Sequence, residues 1–218
     1  MKSPDHSQFC FGVLILAAGS SQRMGRPKLL LPWRQGTVLA HLLAEWRTLG
    51  SRQTVVVHGP TNPELEAELD RLGVAGSDRV MNSAPSRGMF SSIQAAARWQ
   101  GWSESLTHIA ISLGDQPHLR RGTLSGVLGL AARTPNAICQ PARSGKPRHP
   151  VLIARQIFFE LCNTSATTLK EFLARRAVTF CESDDPGLDL DMDSPEDYQR
   201  ALALQERSAG FSPQQHSK

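Results

Sequence analysis

The chain has 218 residues, of which 40% are hydrophobic and 20% are charged, and its formal net charge is +4. This composition is typical of a globular protein and excludes an extended disordered chain. The length favours a single domain, which we place at residues 9–207, with residues 1–8 and 208–218 as flexible tails. No apolar run approaches the roughly 20 residues that a membrane helix needs, so no membrane partner is expected.

The basic residues are scattered and form only short pairs such as Arg120-Arg121 and Arg175-Arg176. Nucleic-acid binding usually requires a basic stripe, so no nucleic-acid partner is expected. The four cysteines have no CxxC or CxxH spacing, which argues against a zinc site and fits a reducing compartment. Residues 1–8 lack the apolar core of a signal peptide, and we therefore expect a cytoplasmic protein.

In the first half of the chain, short apolar runs alternate with helical patterns. The predicted strands are 13–17, 54–58, 79–81 and 108–113, and the predicted helices are 38–49, 63–72 and 91–99. Near-continuous apolar strands separated by helices indicate a parallel sheet covered on both faces. The predicted fold class is α/β, a three-layer α/β/α sandwich with a mostly parallel, Rossmann-like sheet. Ligands of such sheets bind outside the carboxyl ends of the strands.

The second half of the chain has a less regular pattern. Residues 137–141 and 150–153 are predicted to form two strands, which can pair antiparallel through the basic turn at 142–149. Further elements are predicted as helices at 156–162 and 167–175, a strand at 177–181, and a last helix at 195–207. Ser194 suits the N-cap of that last helix, and Pro195 suits its first turn.

The most informative segment is residues 14–28, which read LILAAGSSQRMGRPK. It predicts a buried strand followed by a loop that can approach a ligand closely, because Gly19 and Gly25 offer freedom at positive φ. Backbone N–H groups, together with the cations of Arg23 and Lys28, suit a polyphosphate. The spacing fits neither the P-loop nor G-x-G-x-x-G, so the segment is a nucleotide loop of another kind.

Carboxylates follow two other predicted elements. Asp115 comes directly after the strand at 108–113, where it can hold Mg2+, although an aspartate before a proline also suits a plain turn. If residues 188–192 are extended, alternation places Asp189, Asp191 and Asp193 on one face. Three like charges on one face repel unless a cation lies among them. The alternative interpretation is a solvated acidic loop before a helix.

A loop with small residues begins at Asn82 and leads into the helix predicted at 91–99. Gly88 allows close approach, and Ser91 and Ser92 offer hydroxyls and free N–H groups at a helix N-terminus. A plain capped helix is the alternative interpretation of the two serines.

These segments together resemble the MobA-like nucleotidyltransferases, a family of the nucleotide-diphospho-sugar transferase fold type. The Ala-Ala-Gly form at 17–19, followed by KLLLPW at 28–33, is most similar to the molybdenum cofactor cytidylyltransferases. The likeness extends to Gly-Asp-x-Pro at 114–117, to Asn…Gly-Met-x-x-Ser at 82–92, and to the acidic ending at 191–197. A further block, GKPRHPVL at 145–152, resembles the family's Gly-x-x-Gly-His-Pro-Val-Leu beside the acceptor pocket.

The resemblance implies a role for each matching residue. Catalytic roles fall on Arg23, Lys28 and Asp115, and a magnesium ion is implied on Asp115, Asp191 and Asp193. The implied acceptor residues are Gln116, Pro117 and His149. The implied nucleotide-binding residues are Leu16, Ala17, Ala18, Gly19, Ser20, Ser21, Arg23, Gly25, Lys28, Asn82, Gly88 and Ser92.

The activity that the resemblance implies is transfer of CMP from CTP to the phosphate of molybdopterin-bound molybdenum, with release of pyrophosphate. Transient contact with a molybdoenzyme or its chaperone is a further expectation. Two departures concern the acceptor: Arg148 stands where the family usually has glycine, and residues 163–170 replace a Gly-Asp-x-Gly-Ala-Arg segment. The alternatives are GTP as donor, another phosphorylated acceptor such as a sugar phosphate or phospholactate, and a non-catalytic carrier of the cofactor.

Overall fold

The computed structural model describes residues 9–19, 24–60 and 62–209. Its strands are β1 (Phe11–Ala17), β2 (Pro32–Trp33), β3 (Gly36–Thr37), β4 (Gln53–His58), β5 (Arg79–Met81), β6 (His108–Leu113), β7 (Ile138–Arg143), β8 (Lys146–Pro147), β9 (Val151–Ala154) and β10 (Val178–Glu182). Its α-helices are α1 (Val38–Thr48), α2 (Pro63–Arg71), α3 (Met89–Arg98), α4 (Arg121–Arg133), α5 (Arg155–Glu160), α6 (Leu169–Ala174) and α7 (Pro195–Ala209).

The main sheet has eight strands in the order β10-β7-β9-β6-β1-β4-β5, with β8 paired to β7. Strand β1 is parallel to β4 and β6, β4 is parallel to β5, and β7 is parallel to β10. Strand β9 is antiparallel to both of its neighbours, β6 and β7. Because β9 is antiparallel to both β6 and β7, these two strands run in the same direction. The six strands that therefore end at the same edge of the sheet are β1, β4, β5, β6, β7 and β10. The predicted mostly parallel sheet and its antiparallel pair are confirmed.

Helices cover both faces of this sheet. One apolar cluster joins the sheet to α1, α2, α4 and α7, and a second cluster joins it to α3, α5 and α6. Strand β1 supplies both clusters because its side chains alternate, with Val13 and Ile15 in the first and Leu14 in the second. Each fully buried side chain of this kind contributes roughly 1.5–3 kcal/mol of burial energy. The predicted three-layer sandwich is confirmed.

Polar side chains begin several of the helices. The Thr37 hydroxyl accepts a hydrogen bond from the Ala40 N–H at 3.1 Å at the start of α1. The Ser194 hydroxyl accepts one from the Asp197 N–H at 3.2 Å, and Pro195 is the first residue of α7. The predicted cap of the last helix is thus confirmed. The helix continues to Ala209, two residues past its predicted end, into the segment expected to be a tail.

Helix α4 is an element that the sequence pattern did not predict. Its three glycines at positions 122, 126 and 129 weaken helix propensity, each by about 1 kcal/mol relative to alanine. The helix forms because one face is buried against the sheet, through Thr123, Leu124, Val127, Leu128 and Ala131. Tertiary packing therefore overrides local propensity here.

The described part of the chain contains no helix that is both long and apolar enough to cross a membrane. All four cysteines lie in this part and carry free thiols. Burial raises the pKa of the Cys139 thiol, so it is the less reactive protonated form that packs beside Thr134.

His108 makes the stability of this fold sensitive to acid. The side chain is buried in β6, and burial lowers its pKa to about 4. The unfolded chain takes up this proton near pH 6.5, so the free energy of unfolding should fall as the pH drops from about 6.5 to about 4. The loss is at most about 1.4 kcal/mol per pH unit for this group.

Urea unfolding at several pH values in that window checks this expectation. The variant His108→Phe keeps an aromatic ring and removes the titration, so its stability should depend less steeply on pH than that of the wild type. Equal slopes for the wild type and His108→Phe would contradict the assignment.

Candidate functional site

The carboxyl ends of β1 and β6 border a cleft of about 570 Å3. Three separate segments of the chain line it, namely the end of β1 with the following loop, the start of α3, and the end of β6. The predicted nucleotide-binding residues that the structure brings together in this lining are Leu16, Ala17, Ala18, Gly19, Lys28, Gly88 and Ser92, and Asp115 joins them. The cleft therefore lies where a parallel sheet places its ligands.

Four other predicted residues of the nucleotide loop are not among the described residues that line the cleft. Ser20, Ser21 and Arg23 lie outside the described residues, so their roles stay predictions. Gly25 adopts φ +67°, and the positive φ expected of it is found, although it is not part of the cleft lining. Gly19 lines the cleft without using a positive φ. Its lack of a side chain leaves open space there.

Asn82 holds the second segment of the cleft in place. Its amide nitrogen donates to the hydroxyls of Ser91 and Ser92 at 2.8 and 2.9 Å, and its carbonyl accepts from the Ala84 N–H at 3.0 Å. The side chain is buried and makes these bonds within the loop. Asn82 thus positions the loop. Gly88, with φ +87°, lets the chain turn into α3, which begins two residues earlier than predicted.

Lys28 joins the cleft to the acidic segment near the end of the chain. Its Nζ lies 3.3 Å from Oδ2 of Asp115 and 2.5 Å from Oδ1 of Asp193. All three side chains are partly buried, and charge-assisted contacts of this kind are stronger than neutral hydrogen bonds. Burial raises the pKa of Asp115; the Lys28 cation opposes this effect, and the Asp191 carboxylate adds to it.

Asp191 is held by a different partner. The amide nitrogen of Gln116 donates to Asp191 Oδ1 at 2.8 Å, and the N–H of Met192 donates to the carbonyl of Asp115 at 3.3 Å. Gln116 is buried, and its Oε1 has no hydrogen-bond partner within the described residues. The acidic segment is therefore tied to the Asp115 turn through both side chain and backbone.

The predicted magnesium ligands are close together without forming a complete ligand set. No group of three His, Cys, Asp or Glu side chains in the described ranges is arranged to hold a metal ion. Asp115 and Asp193 nevertheless converge on one cation, the Lys28 ammonium, and carboxylate oxygens are the donors that Mg2+ prefers. The donor chemistry of these two carboxylates thus fits Mg2+, while the ion itself and its ligand set of three aspartates stay predictions.

The condition for a face shared by three aspartates, an extended chain over 188–192, is not met at the start of that range, and Asp189 points away from Lys28. Residues Pro186–Asp189 form a 3-10 turn, in which Oδ1 of Asp185 accepts from the Gly187 N–H at 2.9 Å. The turn directs the Asp189 carboxylate to the guanidinium groups of Arg143 and Arg148. The acidic segment is therefore divided between two sets of cations.

The predicted acceptor residues fall in two places. His149 is partly buried, its Nδ1 lies 3.4 Å from the carbonyl of Ile111, and burial lowers its pKa, so the imidazole is neutral near pH 7. His149 and Gln116 both lie close to Asp191. Pro117 lines a separate cavity of about 870 Å3 beside α1, α4 and α7, where its carbonyl lies 3.0 Å from His41 Nε2.

The cleft also contains residues that sequence reasoning did not select. Leu29 and Met89 line it and adjoin the selected Lys28 and Gly88, and Pro85 and Ser86 line it from the loop between Asn82 and Gly88. Their positions next to or within a selected motif are the sequence signal that could have identified them. The Arg143 contact had a weaker signal, the basic character of the turn at 142–149 in a chain with an acidic segment elsewhere.

Gly114 follows β6 and lies close against the backbone at the end of β1. A Cβ at this position would lie 2.6 Å from the carbonyl oxygen of Leu16, a backbone atom that cannot move freely. We expect Gly114→Ala to lower the free energy of unfolding by about 1–3 kcal/mol and to impair nucleotide binding.

Chemical denaturation and nucleotide titration measure these two effects. Gly122→Ala is the matched control, because this glycine lies in α4 with open space around the position of a Cβ. The control should be stabilised, by up to about 1 kcal/mol. Wild-type stability and affinity in Gly114→Ala would show that β6 can separate from β1 without cost.

The family model described as the MobA-like NTP transferase domain matches residues 13–180. A curated relative, molybdenum cofactor cytidylyltransferase of Escherichia coli (strain K12), is 27% identical over 186 residues, covering 85% of this chain and 92% of the relative. A second relative, nicotine blue oxidoreductase of Paenarthrobacter nicotinovorans, is 31% identical over 152 residues, covering 66% of this chain and 71% of the relative.

Solved structures agree with this assignment. A crystal structure of a Mycobacterium tuberculosis protein superposes with a TM-score of 0.71 at 29% identity, covering 89% of this chain and 98% of that chain. A second structure of the mycobacterial protein, in complex with manganese, has a TM-score of 0.61 at 26% identity, with the same coverage of the two chains. The cleft, the Lys28 and Asp115 contact and these matches lead to one conclusion: the chain belongs to the MobA-like NTP transferase domain family and is a nucleotidyltransferase.

Proposed function

We propose that this protein transfers CMP from CTP to the phosphate of molybdopterin-bound molybdenum. The observation that carries the proposal is the Lys28 ammonium between the carboxylates of Asp115 and Asp193, at the mouth of a cleft between parallel strands. The E. coli relative named as a molybdenum cofactor cytidylyltransferase supports the choice of substrates. In the reaction, an oxygen of the acceptor phosphate bonds to the α-phosphorus of CTP, the bond from that phosphorus to the bridging oxygen breaks, and pyrophosphate leaves.

The chain's own residues supply positioning and charge. The backbone of residues 17–19 lies open to the cleft, where it can approach the triphosphate without steric hindrance. Lys28, with Arg23 as its predicted companion, neutralises charge on the triphosphate and on the leaving pyrophosphate. No covalent intermediate on the protein is required, because the acceptor phosphate is itself the nucleophile.

Magnesium belongs to the same proposal. Asp115 and Asp193, with Asp191, would hold the ion, and the structure of the mycobacterial relative in complex with manganese supports a divalent cation in this family. Held there, the ion would supply positive charge that offsets the negative charge of the phosphate oxygens around the α-phosphorus. Lys28 already marks a position where two of these carboxylates converge on a cation.

The acceptor is the part of the proposal with a specific competitor. Arg148 and residues 163–170 differ from the cytidylyltransferase pattern, and Thr168 of that segment caps α6 by accepting from the Glu171 N–H at 3.1 Å. A second candidate function is therefore transfer from CTP or GTP to a different phosphorylated small molecule. Transient contact with a molybdoenzyme or its chaperone, and a cytoplasmic location, complete the first proposal.

A pyrophosphate-release assay tests the proposal. Purified protein is mixed with Mg2+, molybdenum cofactor and each of CTP, GTP, ATP and UTP in turn. Release with CTP alone, abolished when Mg2+ is omitted, is the expected result. Release with GTP alone would assign the guanine nucleotide instead.

Two further arms separate the remaining possibilities. If no nucleotide gives release although CTP binds, the acceptor is wrong, and sugar phosphates and phospholactate are tried next. Nicotine blue and a soluble hydride-donating reductant are added to parallel samples, and the absorbance of the dye is followed, because one relative is named as an oxidoreductase of that compound. A change in that absorbance without pyrophosphate release would contradict the proposed transfer.

A further inference from the structure

The ligand edge of the sheet has two halves. The nucleotide cleft occupies the half around β1, with the loop that follows β5 on its far side. The other half consists of β9 and β7, which lie beyond β6. Because β7 runs in the same direction as β6 and β9 runs in the opposite direction, the end of β7 and the start of β9 lie at the same edge as Asp115. The described residues at the end of β7 and the start of β9 do not line the nucleotide cleft.

Two arginines mark this second half of the edge. Arg143 is the last residue of β7, and Arg148 lies just before β9, next to His149. Arg148 donates to Asp189 Oδ1 from Nε at 2.9 Å and from Nη2 at 2.6 Å. Arg143 donates to the other oxygen of the same carboxylate, through Nη1. We call these three residues the arginine–aspartate cluster.

The charge of this cluster is not balanced. Two guanidinium groups share one carboxylate, and Lys146 in the same turn adds another cation. The Nε of Arg143 is buried and has no hydrogen-bond partner in the part of the chain that the structure describes. Each of the three cluster side chains is between 28% and 38% exposed, so solvent and small anions reach them. A structural ion pair would need only one of the two arginines.

We propose that Arg143 and Arg148 bind the phosphate of the acceptor substrate, and that Asp189 is a built-in counter-ion which that phosphate displaces. This inference rests on the proposed function only in taking the second substrate to be phosphorylated. Guanidinium groups match phosphate oxygens with paired hydrogen bonds. A partly exposed ion pair is weak, whereas a phosphate brings more charge and three acceptor oxygens.

The cluster lies close enough to the reacting groups for this role. Asp189 is two residues from Asp191, so their Cα atoms are at most about 7 Å apart. Asp191 in turn is hydrogen-bonded to Gln116, the neighbour of Asp115. A phosphate held by Arg143 and Arg148 would therefore be near the end of the cleft where transfer occurs. Arg148 would distinguish this chain from relatives that resemble it elsewhere but have glycine at this position.

Inorganic phosphate is the probe for a direct binding test. It is titrated calorimetrically into the full-length protein after the cleft has been filled with a non-hydrolysable analogue of CTP. Arg143→Gln and Arg148→Gln should each weaken phosphate binding roughly tenfold or more. The control Arg175→Gln removes an exposed arginine that pairs with Glu171 on α6, and it should bind phosphate like the wild type.

Asp189→Asn gives the sharper result, because it separates binding from a structural role. With the competing carboxylate removed, phosphate should bind more tightly than in the wild type. If the cluster had only a structural role, all three variants would bind phosphate more weakly, because each substitution breaks an ion pair of the cluster. Weaker phosphate binding in Asp189→Asn, or unchanged binding in both arginine variants, would overturn the inference.

Steady-state kinetics separates this inference from the proposed function. With an active donor and acceptor pair, the arginine variants should raise the KM for the acceptor about ten- to hundredfold and leave the KM for CTP unchanged. If molybdenum cofactor gives no turnover but the phosphate titrations behave as expected, the proposed acceptor fails and the cluster's role stands. If turnover occurs and the acceptor KM is the same in all variants, the proposed function stands and the cluster's role falls.

Discussion

Replacing Asp115 with asparagine is expected to lower kcat by roughly three orders of magnitude while CTP still binds. The carboxylate lies at the end of β6, 3.3 Å from the Lys28 ammonium, and is a ligand in the proposed magnesium site. Asparagine keeps the shape of the side chain and removes the negative charge. Pyrophosphate release measures kcat, and calorimetry measures CTP binding.

The matched control is Asp184→Asn, at an aspartate that is 96% exposed and pairs with Arg120 away from the cleft. It should retain wild-type turnover. The Asp115 variant also separates an enzyme from a carrier, since a carrier needs no carboxylate beside the leaving group. A variant that still delivers molybdenum cofactor to an apoenzyme as well as the wild type would favour the carrier.

Replacing Lys28 with methionine is expected to lower kcat by roughly two to three orders of magnitude. Methionine keeps much of the aliphatic length and removes the cation that contacts both Asp115 and Asp193. The negative charge on the leaving pyrophosphate then lacks the compensation that the ammonium would supply. Arginine at this position should restore little, because a planar guanidinium does not match the position of a compact ammonium between two carboxylates.

For the same variant, turnover is expected to fall but Mg2+ affinity is expected to rise. Without the ammonium, Asp115 and Asp193 lose the cation that they now share, so Mg2+ titrated alone should bind more tightly than in the wild type. Arg133→Met, at an exposed arginine in the last turn of α4, is the control for both measurements. Wild-type turnover in Lys28→Met would remove Lys28 from the transfer step.

Much of the fold followed from local patterns. The strands at 79–81 and 108–113 have the predicted bounds, and the other predicted strands differ by only a few residues. Apolar runs and caps of this kind report on residues close together in the chain. Helix α4 was not predicted because its three glycines weaken the helical pattern. The helix is stabilised by packing against the sheet, whose strands are distant in sequence. The turn at Pro186–Asp189 escaped because Asp185 and Pro186 override the alternating aspartates.

By itself, the sequence determined the α/β class, the loop after β1, and the placement of Asp115 at a strand end. Such features arise from neighbouring residues and from rules common to all parallel sheets. Only the tertiary structure decided which charges meet. Lys28 contacts Asp193 across 165 residues of chain, and Asp189 turns away to Arg143 and Arg148. Ion pairs of this kind depend on which strand ends become neighbours at the sheet edge, and the order of strands is set by packing rather than by local pattern.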